Sequence, residues 1–478
     1  SMPSTGSGGD IDEETPFLRS NDVSQKPTPL PKAQFLIVLS VWLAESIVSN
    51  SISPYLNQLV RELPIVGGDG RKVGYYTGII VALHYTLEVT TAIHWNRLSD
   101  HIGRRPVVLS CLMGTIISII VFGLSRSFWA IVLSRCLHGA VKGNIGTVRS
   151  MVAELTDETN VARGFSLTPV TWALGYVIGS FVGGILSKPQ DRWPHIFSHQ
   201  FWADYPYFLP CLVAASYSCI SFIIVAMYLK EAPLPKTGSG ISQGEPGRIP
   251  DALPKDEDML LPLSSILTRP VVISAASLAV ITLFNTVADA LIPLIWSTSI
   301  EFGGLGLVPA SIGLLMSAYG CLSGIFQYAL FPSLIRRYGP RNVFLSGVVG
   351  CAVIYVIFPL ENLALQHGPK TAVWLMIALQ LLSFCISEMG YSTCATYLYL
   401  SSAAPNKRSL GATNGFAQTV SSAQLVIGPA GADWLFAFSV TNNVLGGYLV
   451  YIVLLAFACI GPCVAAQLPR HTWRHDRT

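Results

Sequence analysis

Apolar residues occur along the chain in long blocks, and polar residues are concentrated in the intervals between those blocks. A helix of about 20 mostly apolar residues is long enough to cross the hydrocarbon core of a bilayer. The blocks therefore predict an all-α integral membrane protein with twelve transmembrane helices, which we number spans 1 to 12. The predicted spans cover residues 34–56, 75–94, 106–124, 128–148, 164–186, 207–229, 271–297, 307–335, 342–360, 371–400, 410–438 and 445–468.

The longest polar interval between these blocks lies in the middle of the chain. Residues 230–270 are rich in proline and glycine and contain an acidic run, a composition typical of a linker. We therefore predict two six-helix bundles, formed by residues 34–229 and 271–468, with polar tails at residues 1–33 and 469–478. Two similar halves joined by a linker indicate a duplicated transporter.

The distribution of basic residues predicts the orientation of the chain, because cytoplasmic loops of membrane proteins are enriched in Lys and Arg. With the N-terminus in the cytoplasm, 21 of the 30 Lys and Arg residues fall in cytoplasmic intervals and 7 fall in outside loops. We therefore expect both termini and the linker to be cytoplasmic. We also expect the chain to lie in the plasma membrane rather than the vacuolar membrane.

Composition narrows the class of protein. The chain is 51% hydrophobic and 12% charged, whereas soluble domains carry about 25% charged residues, so a soluble globule and a disordered chain are both excluded. No phosphate-binding loop, hydrolase motif or metal-ligand spacing occurs. We expect no enzymatic activity, no cofactor and no bound metal. The expected partners are a small-molecule substrate, protons and lipid, without nucleic acid, and the chain is expected to act as a monomer.

Three sequence motifs resemble a known family. Residues 100–105, Asp-His-Ile-Gly-Arg-Arg, are similar to the loop signature of the major facilitator superfamily, and Arg135 with Gly139 resembles its fourth-helix arginine motif. Residues 175–184 in span 5 resemble its antiporter motif. Together the motifs resemble the twelve-helix drug–proton antiporter branch, and residues 134–157 resemble fungal members near the zinc-induced-facilitator-like group.

The resemblance implies the major facilitator fold and a function in multidrug efflux. The expected activity is proton-coupled export of a small organic molecule by rocker-switch alternating access. One alternative is a facilitator or symporter of an organic anion or metal chelate. A second alternative, of a different class, is a receptor or scaffold that kept the transporter fold without transport. Two departures from the family pattern are Asn96, where the loop signature usually has Gly, and Ser180, where the antiporter motif usually has Pro.

The loop between spans 2 and 3 has the residues of a gating latch. Asp100 lies at the end of span 2, Gly103 permits a tight turn, and Arg104 and Arg105 follow it. A carboxylate–guanidinium contact there would stabilise one state of a transport cycle. The alternative is simple anchoring of the loop at the cytoplasmic membrane surface.

The second half of the chain contains a loop that partly matches this one. In residues 332–341, Gly339 stands in the place of Gly103, but Arg336 stands where the first loop has Asp100. The repeat supports the interpretation that the chain is duplicated.

Small residues in two spans predict close helix packing. Glycines recur on one face of span 5, where backbones can approach closely, as a hinge or as ordinary packing. Gly428 and Pro429 form a related pattern in span 11. The glycines of span 5 are Gly175, Gly179, Gly183 and Gly184.

Ionisable residues inside the spans are the candidates for proton coupling, because charge at that depth is costly. In span 4, Arg135, His138 and Lys142 share one helix face. We predict that Glu45 in span 1 pairs with Arg135 and that protonation of this pair is coupled to transport. The alternative is a structural ion pair. Lys142 either holds an anionic group of the substrate or pairs with Glu88.

Further polar residues of the spans complete the predicted site. His84 and Glu88 are one turn apart on span 2 and form a candidate proton relay, or else a polar pair between helices. Asp289 in span 7 and Glu388 in span 10 are candidates for the substrate cavity, and Asp433 is expected at the membrane interface.

Aromatic residues in the spans suit a cavity for flat organic molecules. Deep rings can line such a cavity, whereas rings near the span ends form interfacial belts. The cavity candidates are Trp42, Trp172 and Tyr391.

Overall fold

The computed structural model describes residues 30–142, 145–156, 160–230, 263–395, 398–403 and 410–469, and all regular structure in these ranges is helical. Nine of the helices in the described ranges are long and apolar enough to cross a membrane, and they correspond to spans 1, 3 and 5 to 11. Most of the predicted linker and nearly all of both predicted tails lie outside the described residues.

The first six spans form the N-terminal half. Their helices are Lys32–Ser51 and Ser53–Glu62 for span 1, Val73–Ile102 for span 2, Arg104–Gly123 for span 3, Phe128–Lys142 and Ile145–Glu154 for span 4, Val161–Leu186 for span 5, and Phe208–Tyr228 for span 6. Short helices at Pro189–Arg192 and Gln200–Asp204 connect spans 5 and 6.

The last six spans form the C-terminal half. Their helices are Arg269–Ser297 for span 7, Pro309–Ile325, the π-helical turn Phe326–Leu330 and Phe331–Tyr338 for span 8, Pro340–His367 for span 9, Lys370–Ala395 and Leu398–Ala403 for span 10, Leu410–Thr441 for span 11, and Leu449–Ala458 with Ile460–Ala465 for span 12.

Spans 2, 4 and 12 differ from the nine apolar helices for local reasons. Span 2 has 30 residues, but polar side chains such as His84 and Glu88 lower its hydropathy. Span 4 is described in two segments on either side of residues 143–144, and span 12 is divided at Cys459 into two short apolar helices. All three nevertheless pack within their six-helix halves.

The two halves use the same helix neighbours. Span 1 packs on span 5 and span 3 on spans 4 and 6 in the N-terminal half. Correspondingly, span 7 packs on span 11 and span 9 on spans 10 and 12 in the C-terminal half. The sharp turns that begin spans 3 and 9 also correspond, since Gly103 and Gly339 both have positive φ, at 100° and 79°. Glycine takes such angles without steric cost.

The halves contact each other mainly through two helix pairs, spans 5 and 8 and spans 2 and 11, and the helix Ser53–Glu62 of span 1 also contacts spans 7 and 8. Gly184 packs against Gly313 in the first pair, and Gly74 packs against Asp433 in the second. Arg71, just before span 2, also lies over the ring of Phe302, 4.8 Å from its centroid. These contacts lie near residues 63–72 and 298–308, and we call this end of the bundle the closed end.

Candidate functional site

A cluster of ionisable side chains lies among spans 1, 2 and 4 in the N-terminal half. We call it the polar cluster, and its members are Glu45, His84, Glu88, Arg135, His138 and Lys142. The helical spacing of span 4 points its three members to one side, where His138 and Lys142 are 1% and 5% exposed. Burial of this kind requires partners for the charges.

His138 lies between Glu45 and Arg135. Its Nε2 is 3.1 Å from Oε1 of Glu45, and its Nδ1 is 3.3 Å from Nη1 of Arg135. Arginine only donates hydrogen bonds, so Nδ1 is an acceptor and a neutral imidazole carries its hydrogen on Nε2, facing Glu45. The prediction that Glu45 pairs directly with Arg135 was therefore wrong. The imidazole of His138, one turn further along span 4, lies between the two side chains and is the partner of Glu45.

Glu88 lies between a lysine and a histidine. Its Oε2 is 3.0 Å from Nζ of Lys142 and 3.8 Å from Nε2 of His84. The Nδ1 atom of His84 is 3.1 Å from the backbone oxygen of Arg135, and since a carbonyl only accepts, this nitrogen carries the hydrogen of a neutral ring. Nε2 of His84 is then free to accept a proton beside Glu88. Of the two alternatives for Lys142, the structure forms the pair with Glu88.

Close packing of spans 2 and 4 brings these groups together. The rings of His84 and His138 are stacked, with centroids 5.2 Å apart and planes 4° from parallel. At Gly139 a Cβ atom would overlap the backbone of His84, so the absence of a side chain there allows the close approach. The two histidines thereby connect the pair around Glu45 with the pair around Glu88.

Two predicted aromatic residues have different surroundings. Trp172 of span 5 contacts the polar cluster, since Nζ of Lys142 lies 5.9 Å from its ring centroid and 5.4 Å from that of Tyr85. Trp42 is 9% exposed and instead lies 5.8 Å from the guanidinium carbon of Arg149. The structure therefore brings Trp172, but not Trp42, to Lys142.

The C-terminal half contributes two carboxyl groups without a basic partner among the described ion pairs. Asp289 accepts a hydrogen bond from the Tyr176 hydroxyl of span 5 at 3.4 Å, across the boundary between the halves. Glu388 lies one turn beyond Phe384 on span 10, with Tyr391 a further turn along and partly exposed. A small cavity beside Asp289 is lined by aromatic and apolar side chains: Tyr176, Ile292, Pro293, Trp296, Met316, Tyr319, Leu381 and Phe384.

Two buried acids differ from the sequence-based prediction, one in its position and one because it was missed. Asp433 is 3% exposed and lies inside the contact between spans 2 and 11, not at the membrane interface, because its side of span 11 faces Gly74 and Gly78. Glu361 is fully buried, one residue beyond the predicted end of span 9, which continues to His367. Extending span 9 by the two further turns that the helix has in the structure would have included Glu361 in their first turn.

The predicted latch residues make two separate sets of contacts. Arg104 contacts Oδ1 of Asp100 at 2.5 Å and Oε1 of Glu154 at 3.1 Å, and it also donates to Ser99. Arg105 donates to the backbone oxygen of Ala226 at the end of span 6. Arg104 therefore joins spans 2 and 4, and Arg105 joins spans 3 and 6.

Arg341, in the second copy of the loop, has a contact equivalent to that of Arg105. It donates to the backbone oxygen of Ala466 at the end of span 12, at 3.1 Å. Arg336 lies near the hydroxyl of Ser333 at 3.5 Å. The duplicated loops thus share the arginine–carbonyl contact and differ in the acidic contacts of Arg104.

The glycine face of span 5 packs mainly within its own half. Gly175, Gly179 and Gly183 lie against the backbone and small side chains of span 1, whereas Gly184 lies against span 8 of the other half. Gly428, followed by Pro429 inside span 11, lies against Thr286 of span 7.

The two departures from the family pattern also have close contacts. Gly146 lies against the amide of Asn96, so the larger residue in span 2 faces a glycine in span 4. The carbonyl of Ser180 lies against Gly313.

The chain is similar to known transporters along nearly its whole length. Residues 34–429 match the family model described as Major Facilitator Superfamily. The chain is 28% identical to the major facilitator-type transporter psiT2 of Psilocybe cyanescens, covering 96% of this chain and 94% of the relative. It is 26% identical to the efflux pump azaK of Aspergillus niger, covering 98% and 97%.

A plant relative and a solved structure extend these matches. Protein ZINC INDUCED FACILITATOR 1 of Arabidopsis thaliana is 23% identical, over 93% of each chain. The crystal structure of a mutant of the nucleoside transporter NupG superposes with a TM-score of 0.64 at 11% identity, covering 91% of this chain and all of that one. The likeness to NupG concerns the fold alone.

Proposed function

The chain belongs to the Major Facilitator Superfamily and is a transporter of that family, and on this basis we propose that it exports a small organic molecule in exchange for protons. The observation that carries the proposal is the position of Glu88 between Lys142 and His84. Proton uptake at His84 would create a second cation beside Glu88, which would compete with Lys142 for the same carboxylate oxygen. Proton binding would thereby change how far Glu88 neutralises the charge of Lys142.

The imidazole of His138 contacts Glu45 and stacks on His84, so it couples Glu45 to the group around Glu88. A proton added to Nδ1 of His138 would remove its acceptor for Arg135 and strengthen its pair with Glu45. Because His138 stacks on His84, two positive rings would repel each other, so protonation of one disfavours protonation of the other. We propose that this pair takes up one proton at a time.

The proposed substrate position lies between the halves. On the N-terminal side Lys142 of the polar cluster lies beside the ring of Trp172. On the C-terminal side Asp289, which has no basic partner among the described ion pairs, lies at the aromatic cavity. The alternative of an organic-anion carrier is less favoured at Lys142 and His138, because both already have carboxylate partners, and Arg135 is the basic group of the cluster whose described contact is with His138 alone.

The position of the closed end bears on which state of the proposed transport cycle is described. With the orientation expected from the basic residues, the closed end faces outside and the Asp100–Arg105 loop faces the cytoplasm. The state described is then inward-facing, and export requires the contacts of spans 2 and 11 and of spans 5 and 8 to separate. We propose rocker-switch motion of the two six-helix halves, residues 34–229 and 271–468, about the substrate.

The proposal is tested in proteoliposomes with the fluorescent cation ethidium as transported probe. An imposed proton gradient should drive ethidium against its concentration gradient in the wild type. The Glu88→Gln variant should transport ethidium only down its gradient and should ignore the proton gradient, because His84 then has no charged partner. Asp204→Asn is the matched control, since Asp204 is exposed and pairs with Arg126 outside the spans. Ethidium flux that ignores the proton gradient in the wild type would contradict proton coupling.

A further inference from the structure

Asp433 is buried where the two halves touch at the closed end. It is 3% exposed, and one of its carboxylate oxygens has no hydrogen-bond partner among the described residues. Gly74 and Gly78 of span 2 pack directly on it: a Cβ atom at Gly78 would lie 3.4 Å from the Cβ of Asp433, and one at Gly74 would lie 2.5 Å from its carbonyl oxygen. We call this contact of spans 2 and 11 the seam.

The basic groups on the elements around the seam are engaged elsewhere. Arg71 lies over the ring of Phe302, and Lys72 is 3.8 Å from Asp69. Asp433 is therefore a buried acid that no cation compensates in the described surroundings.

The other titratable groups around the seam have partners of their own. On span 2, Tyr75 packs edge-on against Trp434 with centroids 6.0 Å apart. On span 7, Asp289 binds the hydroxyl of Tyr176. On span 12 and the turn before it, Tyr448 and Tyr451 pack on each other.

The hydroxyl of Thr77 on span 2 lies within hydrogen-bonding reach of Asp433, but no cation of the described residues does. Burying an ionised carboxylate without a cation is costly, whereas the neutral acid is tolerated. Opening the closed end must pull Gly74 and Gly78 away from span 11, because these glycines form the seam itself. Water then reaches Asp433 and the ionised form is no longer penalised. A group that is buried in one state and hydrated in the other binds protons differently in the two states, so proton binding and the conformational equilibrium are linked.

We propose that Asp433 is a second proton-binding site of the transporter, protonated while the seam is closed and ionised when the seam opens to water. The inference rests on the alternating access proposed above, but it does not require the polar cluster. Protons arriving at the open seam would favour its closure, so a proton taken up on the outside would return the exporter to the inward-facing state. The polar cluster would then couple protons to the substrate, and Asp433 would couple protons to the opening and closing of the closed end.

The test measures the distance across the closed end of the full-length protein in nanodiscs as a function of pH. Spin labels are placed at Ile65 and Leu445, which are exposed on opposite halves, after the exposed cysteines Cys321, Cys459 and Cys463 are replaced by serine. Double electron–electron resonance then gives the ratio of closed to open molecules. For one linked proton this ratio should fall by up to about tenfold per pH unit as the pH rises.

Two seam variants separate protonation from packing. Asp433→Asn should remain mostly closed and should lose the one-proton pH dependence, because the amide mimics the neutral acid. Gly74→Ala should shift the population toward open at every pH and keep the pH dependence, because its Cβ crowds the backbone of span 11. Asp204→Asn should behave as the wild type.

The outcomes distinguish this inference from the proposed function. An undiminished pH dependence in Asp433→Asn would overturn the assignment of the proton to Asp433 and leave alternating access intact. A single distance at every pH in every variant, with no response to ethidium, would contradict alternating access and this inference together.

Discussion

The two halves of the transporter share a scaffold and differ in how they handle charge. Both use the same helix neighbours, and both anchor a loop arginine on a carbonyl at the end of the last helix of their half, Arg105 on Ala226 and Arg341 on Ala466. In the N-terminal half, however, the buried Lys142 and His138 each have a carboxylate partner, and Arg135 contacts His138. The two bundles thus share the contacts that hold them together but differ in the chemistry within them.

The C-terminal half keeps its acids apart from bases. In the described part of that half, Asp289, Glu361, Glu388 and Asp433 are not in ion pairs with Lys or Arg. An unpaired acid can exchange its proton without breaking an ion pair, whereas a paired acid changes its partners when it is protonated. Under the proposals above, the N-terminal half would couple protons to local rearrangement and the C-terminal half would couple them to hydration.

The largest expected effect is a loss of stability when the N-terminal half loses the cation of its Lys142–Glu88 pair. Lys142→Met leaves Glu88, whose side chain is 15% exposed, without its cation, and breaking a buried pair costs up to about 3–5 kcal/mol of stability. Thermal unfolding in detergent should show a large fall in Tm. The double variant Lys142→Met with Glu88→Gln should recover most of the loss, because no unpaired charge remains. Equal Tm values for the single variant and the wild type would show that the pair does not stabilise the N-terminal half.

A smaller effect is expected from the glycine that brings the two histidines together. Gly139→Ala places a Cβ against the backbone of His84, and overpacking of this kind costs about 1–3 kcal/mol. The matched control is Gly324→Ala in span 8, where the added atom would have no neighbour within 4 Å. Tm should fall for the first variant and stay within a few degrees for the second. Equal shifts for both would mean that the close contact of spans 2 and 4 is not under packing constraint.

The fold could be predicted from the sequence because long apolar blocks leave few alternatives in a bilayer. For the polar cluster, the sequence predicted the members, the proximity of His84 and Glu88 and one of the two alternatives for Lys142, but not the partner of Glu45. Helical spacing placed Arg135, His138 and Lys142 on one face, but the rotation of span 1 against span 4 decides which of them meets Glu45, and spacing within a single helix carries no information about that rotation.

The two acids assigned wrongly or missed have different explanations. Asp433 was expected near a helix end and at the interface, because depth along a helix can be read from the sequence while the direction in which a side chain faces cannot. Glu361 was missed because the predicted end of span 9 was set by the first charge after the apolar block, whereas the helix continues past it to His367. The first error concerns a contact between helices, and the second concerns the position at which a helix ends.

The smallest effect is expected at the two corresponding loops, residues 100–105 and 332–341. Arg104 of the first loop contacts two carboxylates, whereas Arg336 of the second contacts only a serine hydroxyl among the described residues. Arg104→Ala removes contacts to Asp100 and Glu154, and because Asp100 is largely exposed the loss of stability should be only about 1 kcal/mol. Its contacts join spans 2 and 4 at the end of the bundle opposite the closed end, so the rate of ethidium transport should change more than its half-saturating concentration. Arg336→Ala is the matched control in the second copy, where the contact to Ser333 is long and exposed, and it should leave both quantities unchanged. Equal effects of the two variants would mean that the acidic contacts of Arg104 do not act as a latch, and that the arginine–carbonyl contacts common to both halves are the functional part of the loop.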